Sequence, residues 1–457
     1  MKPHRFLRLS AWRGSELAGL AGDSFYVGIW QGAISIADLI QLALVAHMLG
    51  VTQLGKLSLV MSFVVLVGQF FDVRVGTAST TFGARRLHQA DSGGAAGVFQ
   101  LSYLVDAVTG VLGFAVVAAL APVVGPHFVH NNGTNLILLF ALTLLVSTVD
   151  ETSLTILRVL DRFRLIAAYT VALQALRIAF VVAALMISRS LTAVLVALIV
   201  YDFAGAIANG AFAAIAFRRS SGLSIRARAL GDFAEKRRML TMMLHTNLVS
   251  YARLAQVQLP TLLIGLLSGA TQAGVYRIGT AAGNAIGRLA DPAYAAVLPR
   301  LARLWAAART AEIRRLVRRA TLIATLVMAV ALTLLVTYRE LVLRLLGGHA
   351  ALASGTVLVL IGIAQAVDGV LFWTVGLLFA AGRSRRVSAI VLGGTALQIS
   401  LLVPLTTAFE ANGAAIAFCV TTILTNLVLA AFAIAVLAGS GSSPVVGAAC
   451  LLTPPSD

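Results

Sequence analysis

Long apolar segments restrict the fold of this chain more than any other feature. Twelve such segments have about 20 residues each, enough to cross ~30 Å of hydrocarbon at a rise of ~1.5 Å per residue. Of the 457 residues, 59% are hydrophobic and only 12% are charged, unlike a soluble globular domain. Because backbone polar groups in hydrocarbon must be satisfied internally, we predict an all-α polytopic membrane protein with twelve transmembrane helices.

The predicted spans divide into two sets of six. The first set comprises Val27–Met48, Leu57–Phe82, Val98–Leu120, Thr134–Leu157, Leu165–Ile187 and Leu191–Phe217. The second set comprises Leu240–Leu267, Ala273–Leu298, Ala320–Thr337, Ala351–Ala380, Val387–Leu405 and Gly413–Leu437. Because each set has an even number of spans, both sets have the same orientation in the membrane.

A short motif occurs at equivalent places in the two sets. Residues Gly50–Gly55 and Gly269–Gly274 both read G-x-T-Q-x-G, with a shift of 219 residues from position 50 to position 269. A similar shift superimposes most of the other spans. Two further matches are Val149-Asp150 with Val367-Asp368 and Ala172-Leu173-Gln174 with Ala396-Leu397-Gln398. The repeat predicts two six-helix bundles related by a pseudo-twofold axis along the membrane normal.

The distribution of lysine and arginine predicts the orientation. Outside the spans, twenty-six of these residues lie in the termini and connections of one side and four on the other. The positive-inside rule therefore places both termini in the cytoplasm. The net charge of +17 then reflects topology and contact with lipid headgroups, and nucleic acid is not expected as a partner. The expected parts are an interfacial N-terminus (1–26), a first bundle (27–217), a cytoplasmic linker (218–239), a second bundle (240–437) and a cytoplasmic tail (438–457).

Five arginines fall inside predicted spans, namely Arg74, Arg177, Arg253, Arg277 and Arg288. A charged side chain at a helix centre costs roughly 2.5–3.5 kcal/mol unless it faces water, a partner or a ligand. We interpret Arg253, Arg288, Arg74 and Arg177 as candidate cations of a cavity that binds an anionic substrate. Arg277 is interpreted as a headgroup anchor.

The eighth span concentrates the polar residues on one helix face. Steps of three and four residues connect Arg277, Thr280, Asn284, Arg288 and Asp291. Beside this face, glycines at positions 279, 283 and 287 form a G-x-x-x-G-x-x-x-G ridge. Such a ridge allows a neighbouring helix to approach closely, so we predict that one face packs and the next lines a cavity.

An alternative for the same arginines is silent ion pairing in the membrane. The pairs considered are Arg288 with Asp291, Arg74 with Asp72, and Arg253 with Asp38. The cavity residues that are candidates for ion coupling, or for counterions of the arginines, are Asp38, Asp72, Asn284, Asp291, Asp150 and Asp368. The match of Asp150 with Asp368 under the repeat favours a shared structural role for those two.

Motifs of enzymes are absent from the sequence. It contains no Walker-type phosphate loop, no G-x-S-x-G and no H-E-x-x-H, and the two cysteines, Cys419 and Cys450, favour packing or tail positions. We therefore expect no catalytic residues, no metal site and no cofactor. A glycan polymerase or ligase normally has a long outward loop, and the predicted outward connections are all short.

Two regions resemble a known family of exporters. Residues 273–276 and 297–301 are similar to the "G-x-Y" opening and "P-x-L-x-R" close of span eight in the multidrug, oligosaccharidyl-lipid and polysaccharide (MOP) exporter superfamily. Residues 71–78 resemble the "D-x-G-x-x-x-A" end of its span two, with Val73-Arg74 where a simpler apolar pair is common. With the twelve-span frame, the chain resembles the polysaccharide branch, the O-unit and exopolysaccharide flippases.

The resemblance implies a MATE-like fold and a flippase for surface polysaccharide or lipopolysaccharide assembly. Its substrate would be a polyprenyl-diphosphate-linked oligosaccharide, moved across the bacterial cytoplasmic (inner) membrane by alternating access between the two bundles. The implied partners are membrane lipids and the polysaccharide polymerase or export machinery. A multidrug or cation antiporter of the same superfamily is the alternative.

Overall fold

The computed structural model describes residues 5–71, 75–129, 132–223, 225 and 248–439. Within those ranges the chain is nearly all helix and contains no β-strand. The protein forms two compact units, Met1–Leu254 and Ala255–Asp457. The expected all-α membrane fold is confirmed.

The helices of the first unit vary widely in length. They are α1 (Arg5–Leu49), α2 (Val51–Phe71), α3 (Val75–His88), α4 (Ser92–Val129), α5 (Gly133–Ala141), α6 (Leu144–Val159), α7 (Phe163–Ile187) and α8 (Leu191–Ser221). Helix α1 runs without a break through the predicted interfacial segment into the first span. The second span begins earlier than the predicted Leu57, because Gly50 has a φ of 86° that ends α1 and lets α2 start at Val51.

The second unit begins within a long helix, α9 (Leu248–Gly287), that starts in the first unit. It continues with α10 (Asp291–Ala306), α11 (Thr310–Thr337), α12 (Arg339–Gly347), α13 (Gly355–Val370), α14 (Trp373–Ala380) and α15 (Ser384–Gly439). Short 3-10 turns at Arg288–Ala290 and His349–Ser354 precede α10 and α13. 

Ten helical stretches in the described ranges are long and apolar enough to cross a membrane. Two helices, α9 with 40 residues and α15 with 56, contain non-helical residues at Gly269 and Glu410. At ~1.5 Å per residue these helices would be about 60 Å and about 84 Å long, roughly twice or more the hydrocarbon thickness. Both breaks lie in predicted connections between spans, so the ten stretches are consistent with twelve crossings.

Left-handed backbone residues repeat between the two units. Gly50 and Gly269 both have a φ of 86°, and they are the first residues of the repeated motif. Two further pairs with positive φ are Ala90 with Ala308 and Asp161 with Gly382. Their spacings of 218 and 221 residues match the shift found in the sequence, so the backbone itself carries the repeat.

The turns at the arginine-rich end of the bundles share one hydrogen-bond pattern. In each, an amide donates to a carbonyl five residues earlier, which closes a Schellman motif around the left-handed residue. The donor and acceptor pairs are Asp91 to Arg86, Arg162 to Leu157, Arg309 to Leu304 and Arg383 to Leu378. The pattern fixes the helical hairpins that carry the predicted cytoplasmic arginines.

Each unit has its own apolar core next to these turns. In the first unit Phe99, Ile156 and Phe217 are fully buried together. In the second unit Leu301 and Leu377 belong to the corresponding cluster. The two cores hold the hairpin ends in place and leave the polar residues of the spans elsewhere in each bundle.

Candidate functional site

The predicted cavity cations differ in what the structure describes of them. Arg74 and Asp72 lie outside the described residues, as does the side chain of Arg253, whose backbone is part of α9. Arg177 and Arg288 are described with their side chains. The comparison of these two is therefore the clearest view of the candidate site.

Arg177 is held by three partners in the first unit. Its Nη1 donates to Oδ1 of Asp38 at 2.8 Å and to Oε1 of Gln174 at 3.3 Å. The guanidinium carbon lies 5.7 Å from the centroid of the Tyr201 ring, within range of a cation–π contact. The Arg177 side chain is only 13% exposed, against 40% for Asp38, so this arginine is an anchored member of an ion pair.

Further carboxylates surround the Arg177 ion pair. Asp202 lies close enough to Arg177 and Asp150 to interact with both charges. One guanidinium among three carboxylates makes this part of the first unit acidic. The expected pairing of Asp38 with Arg253 is replaced by pairing with Arg177, because α1 packs along α7; the sequence periodicity gives the face of a helix but not its neighbour.

An aspartate–asparagine hydrogen bond occurs in both units. The side-chain amide of Asn209 donates to Asp150, and that of Asn426 donates to Asp368 at 2.9 Å. The two asparagines are 217 residues apart and the two aspartates 218. This geometry supports the shared role that we expected for the aspartates, as acceptors that join the fourth and sixth helical spans of each bundle.

Arg288 has no such partner. Among the residues that the structure describes, neither Arg288 nor Asp291 forms an ion pair, and both are exposed. The silent Arg288–Asp291 pair that we considered is thus not formed. One turn earlier, Asn284 accepts a hydrogen bond at 2.8 Å from the amide of Gln365 on α13, so neutral amides adjoin the arginine.

The backbone changes at Arg288. The continuous helix that we predicted for the eighth span is wrong here, since α9 ends at Gly287 and a 3-10 turn covers Arg288–Ala290. The reason is Pro292 at the start of α10, because proline has no amide hydrogen and its ring crowds the carbonyl four residues earlier. Arg288 therefore stands at a helix break, where its side chain leaves the packed face.

The glycine ridge of the eighth span packs as predicted. A Cβ placed on Gly279 would lie 2.6 Å from Cβ of Val357, and one on Gly283 would lie 2.8 Å from Cβ of Ile361. Both neighbours belong to α13, and real side chains do not approach so closely. The ridge therefore brings α9 against α13 and sets the distance between Asn284 and Gln365.

Several site residues were not candidates in the sequence. They are Gln174, Tyr201, Asn209, Gln365 and Asn426. The sequence signal for the asparagines was their match under the repeat, which Gln174 and Gln398 also show. In the part of the chain that the structure describes, no three His, Cys, Asp or Glu side chains are grouped to hold a metal ion.

The chain matches one protein family over more than half its length. The family model described as polysaccharide biosynthesis protein covers residues 20–305. No curated protein matches the chain at a significant level. The family match includes the first bundle and the whole of the eighth span with its glycine ridge.

Solved structures with the same fold are membrane transporters. An inward-facing multidrug resistance MATE family transporter of the MOP superfamily has a TM-score of 0.68 and 13% identity, covering 90% of this chain and 96% of its own. A MATE protein in complex with MaL6 gives 0.64 and 13%, covering 93% and 97%. A MOP superfamily transporter from Pyrococcus furiosus, described as having reversed polarity of its binding pocket, gives 0.62 and 13%, covering 93% and 96%.

These likenesses show the fold, and the family model shows the family. The MATE-like architecture expected from the sequence is confirmed by the structural likenesses at nearly full coverage. The chain belongs to the polysaccharide biosynthesis protein family and is a multi-pass membrane protein with the fold of the MOP superfamily.

Proposed function

We propose that this protein is a flippase that moves a polyprenyl-diphosphate-linked oligosaccharide across the bacterial cytoplasmic membrane for surface polysaccharide assembly. The observation that carries the proposal is the combination of a polysaccharide biosynthesis family with a transporter fold. A polysaccharide pathway in a membrane requires a step that carries the lipid-linked glycan to the other leaflet. The protein acts as a transporter by alternating access, with both termini in the cytoplasm, and not as an enzyme.

The diphosphate of such a substrate needs cations in the membrane interior. Arg288 offers an exposed guanidinium without an ion-pair partner among the described residues. The planar guanidinium can bind two phosphate oxygens at once, which a lysine ammonium cannot do with the same geometry. The neighbouring amides of Asn284 and Gln365 are suited to hydrogen bonds with glycan hydroxyls. Arg253 and Arg74 are proposed for the same role.

Arg177 has a different expected role. Because Asp38 already neutralises it at 2.8 Å, it can bind a substrate phosphate only when that ion pair opens. The surrounding Asp150 and Asp202 favour a cation over a second anion in this region. This acidity is the observation that supports the second candidate function, a cation-coupled multidrug antiporter, in which Asp38 would bind the coupling ion.

Deletion of the gene separates the two functions. For a flippase, we expect lipid-linked oligosaccharide to accumulate in the cytoplasmic leaflet while its synthesis continues. Leaflet location can be measured with a membrane-impermeant glycan oxidant applied to intact and opened spheroplasts. Unchanged glycan export together with altered resistance to cationic drugs would favour the antiporter. Complementation with the wild-type chain is the control for secondary effects of the deletion.

A further inference from the structure

A basic pocket lies at the arginine-rich end of the second unit, far from Arg288 along the chain. It is a cavity of about 660 Å³ between α10 and α11. Its lining consists of Arg300, Arg303, Leu304, Glu312, Arg315, Leu316 and Arg319. Nothing in the proposed transport step uses this pocket.

The charges of the pocket are unbalanced. It has four arginines and one carboxylate, and that carboxylate, Glu312, already forms an ion pair at 3.3 Å with Arg309. Arg303 donates through Nε to the carbonyl of Pro299 at 3.2 Å, which leaves its two terminal nitrogens for a ligand. Within the described residues, Arg300, Arg315 and Arg319 form no ion pair.

The fold aims these arginines at the pocket. On α11 the sequence from 314 to 319 reads R-R-L-V-R-R, and Arg314 donates to the carbonyl of Leu437 at 2.9 Å, on another face of the helix. Arg315 and Arg319 are one turn apart and line the pocket together. The hairpin turn at Ala308, with a φ of 54°, fixes α10 against α11, so the cluster is built into the fold.

An apolar stripe continues from the pocket along α11. At steps of three and four residues after Arg319 come Leu322, Leu326 and Val330. These side chains are 72%, 67% and 52% exposed, as expected for a face that contacts lipid. A ligand held by the arginines would therefore have hydrocarbon directly beside its charged group, which favours an amphiphile over a free anion.

We propose that this pocket binds the phosphate headgroup of an anionic membrane phospholipid, with its acyl chains along the α11 stripe. Guanidinium groups bind phosphate oxygens in pairs, and basic pockets between transmembrane helices on the cytoplasmic side are suited to anionic headgroups. The proposal is independent of the transported substrate. Its effect is to hold the α10–α11 hairpin at the membrane surface and to make the stability of the second unit depend on lipid charge.

The test measures the thermal unfolding midpoint of the purified full-length protein in micelles. Phosphatidylglycerol is titrated against phosphatidylcholine, and inorganic phosphate serves as the soluble probe. For the wild type we expect a saturable rise in Tm with phosphatidylglycerol alone. The double variant R315Q/R319Q removes two exposed arginines and should weaken the apparent lipid affinity by about tenfold or more, since each arginine near the surface contributes about 1 kcal/mol.

The matched control is R383Q/R385Q. These two arginines are also exposed, lie at the same end of the same unit and are outside the pocket, so the same charge is removed. The control should keep the wild-type lipid response. R315K/R319K keeps the charge but loses the paired geometry, and we expect an intermediate affinity. Glu312→Gln removes the only carboxylate and should increase the affinity.

Three results would overturn the proposal. Equal loss in R315Q/R319Q and R383Q/R385Q would show a general effect of surface charge. An equal rise in Tm with inorganic phosphate would show an anion site that does not need a lipid. A wild-type response that is the same for phosphatidylglycerol and phosphatidylcholine would show no selectivity for a charged headgroup.

Discussion

The two units keep the same aspartate–asparagine bond and differ in the arginines near it. The first unit has Asp38 bound to Arg177 beside Tyr201. The shifts defined by the local matches place apolar residues at the equivalent positions of the second unit, namely Val257, Leu401 and Phe418. In the other direction, the 219-residue shift from Arg288 leads to Gln69. Each unit therefore has a charged feature that its repeat lacks.

The difference separates architecture from specialisation. The bonds of Asp150 with Asn209 and of Asp368 with Asn426 occur at matching places, as expected for groups that join helices in both bundles. The paired Arg177 and the unpaired Arg288 occur once each. We infer that the second unit provides the anion-binding group and that the first unit provides an acidic, internally neutralised region.

The largest effect is expected from Arg288. Arg288→Ala should lower glycan export roughly tenfold to a hundredfold, because a hydrogen-bonded contact with a charged group contributes about 1.5–3 kcal/mol. Abundance in the membrane should stay normal, since no described ion pair is broken. Arg288→Lys should restore only part of the export, because it keeps the charge but loses the paired geometry. Export is measured as surface glycan per molecule of protein.

Two variants sharpen the Arg288 prediction. Arg339→Ala removes an exposed arginine from α12 and should leave export unchanged. Replacing Arg288 and Asp291 together by apolar residues should leave export as low as the single change. Full export by that double variant would contradict a substrate-binding role for Arg288 and would instead favour a silent pair.

The next effect concerns the Asp38–Arg177 pair. Arg177→Leu leaves Asp38 without its counterion and should destabilise the protein by roughly 1–2 kcal/mol, less than the roughly 3–5 kcal/mol of a fully buried pair because Asp38 is 40% exposed. Unfolding in detergent, followed by the thermal midpoint and by membrane abundance, measures the change.

The double variant Asp38→Val with Arg177→Leu gives the first unit the residues of the second. If the pair is structural, the double variant should recover the stability that the single change loses, and export with it. Recovered stability without export would assign the pair a transport function such as ion coupling. A double variant less stable than Arg177→Leu would contradict the inferred pairing.

The smallest effect tests what the units share. Asn209→Ala and Asn426→Ala each remove one donor to an aspartate, and each should destabilise the protein by about 1 kcal/mol. The effect should be larger for Asn209, because Asp150 is less exposed than Asp368. Asn135→Ala, at an exposed position of α5, is the control that should change nothing. A large effect in one unit only would contradict a shared structural role.

The fold was predictable because its main determinants are local. Apolar length gives the spans, and the repeat is visible in short motifs that the left-handed residues Gly50 and Gly269 confirm. The sequence did not reveal how little loop separates some spans: at Glu410 one residue with a φ of 53° interrupts α15. A single left-handed glutamate has no compositional signal of the kind that glycine or proline provides.

The site was predictable only in part, because its contacts are between helices. Periodicity placed Arg288 and Asn284 on one face but did not give Gln365, which is 81 residues away. It likewise did not give Arg177 as the partner of Asp38, 139 residues apart. The helix break at Arg288 depends on Pro292 four residues later, a signal that was present in the sequence and outweighed by the periodic pattern.

The glycine ridge between α9 and α13 has a mechanical consequence. With no side-chain volume at Gly279 and Gly283, the backbone of α9 lies against Val357 and Ile361, so rotation of α9 about its own axis would force larger residues into that contact. The two helices should behave as one stiff element. Any stroke that carries Arg288 from one side of the membrane to the other must then move α13 with it, as a lever with the arginine at its tip.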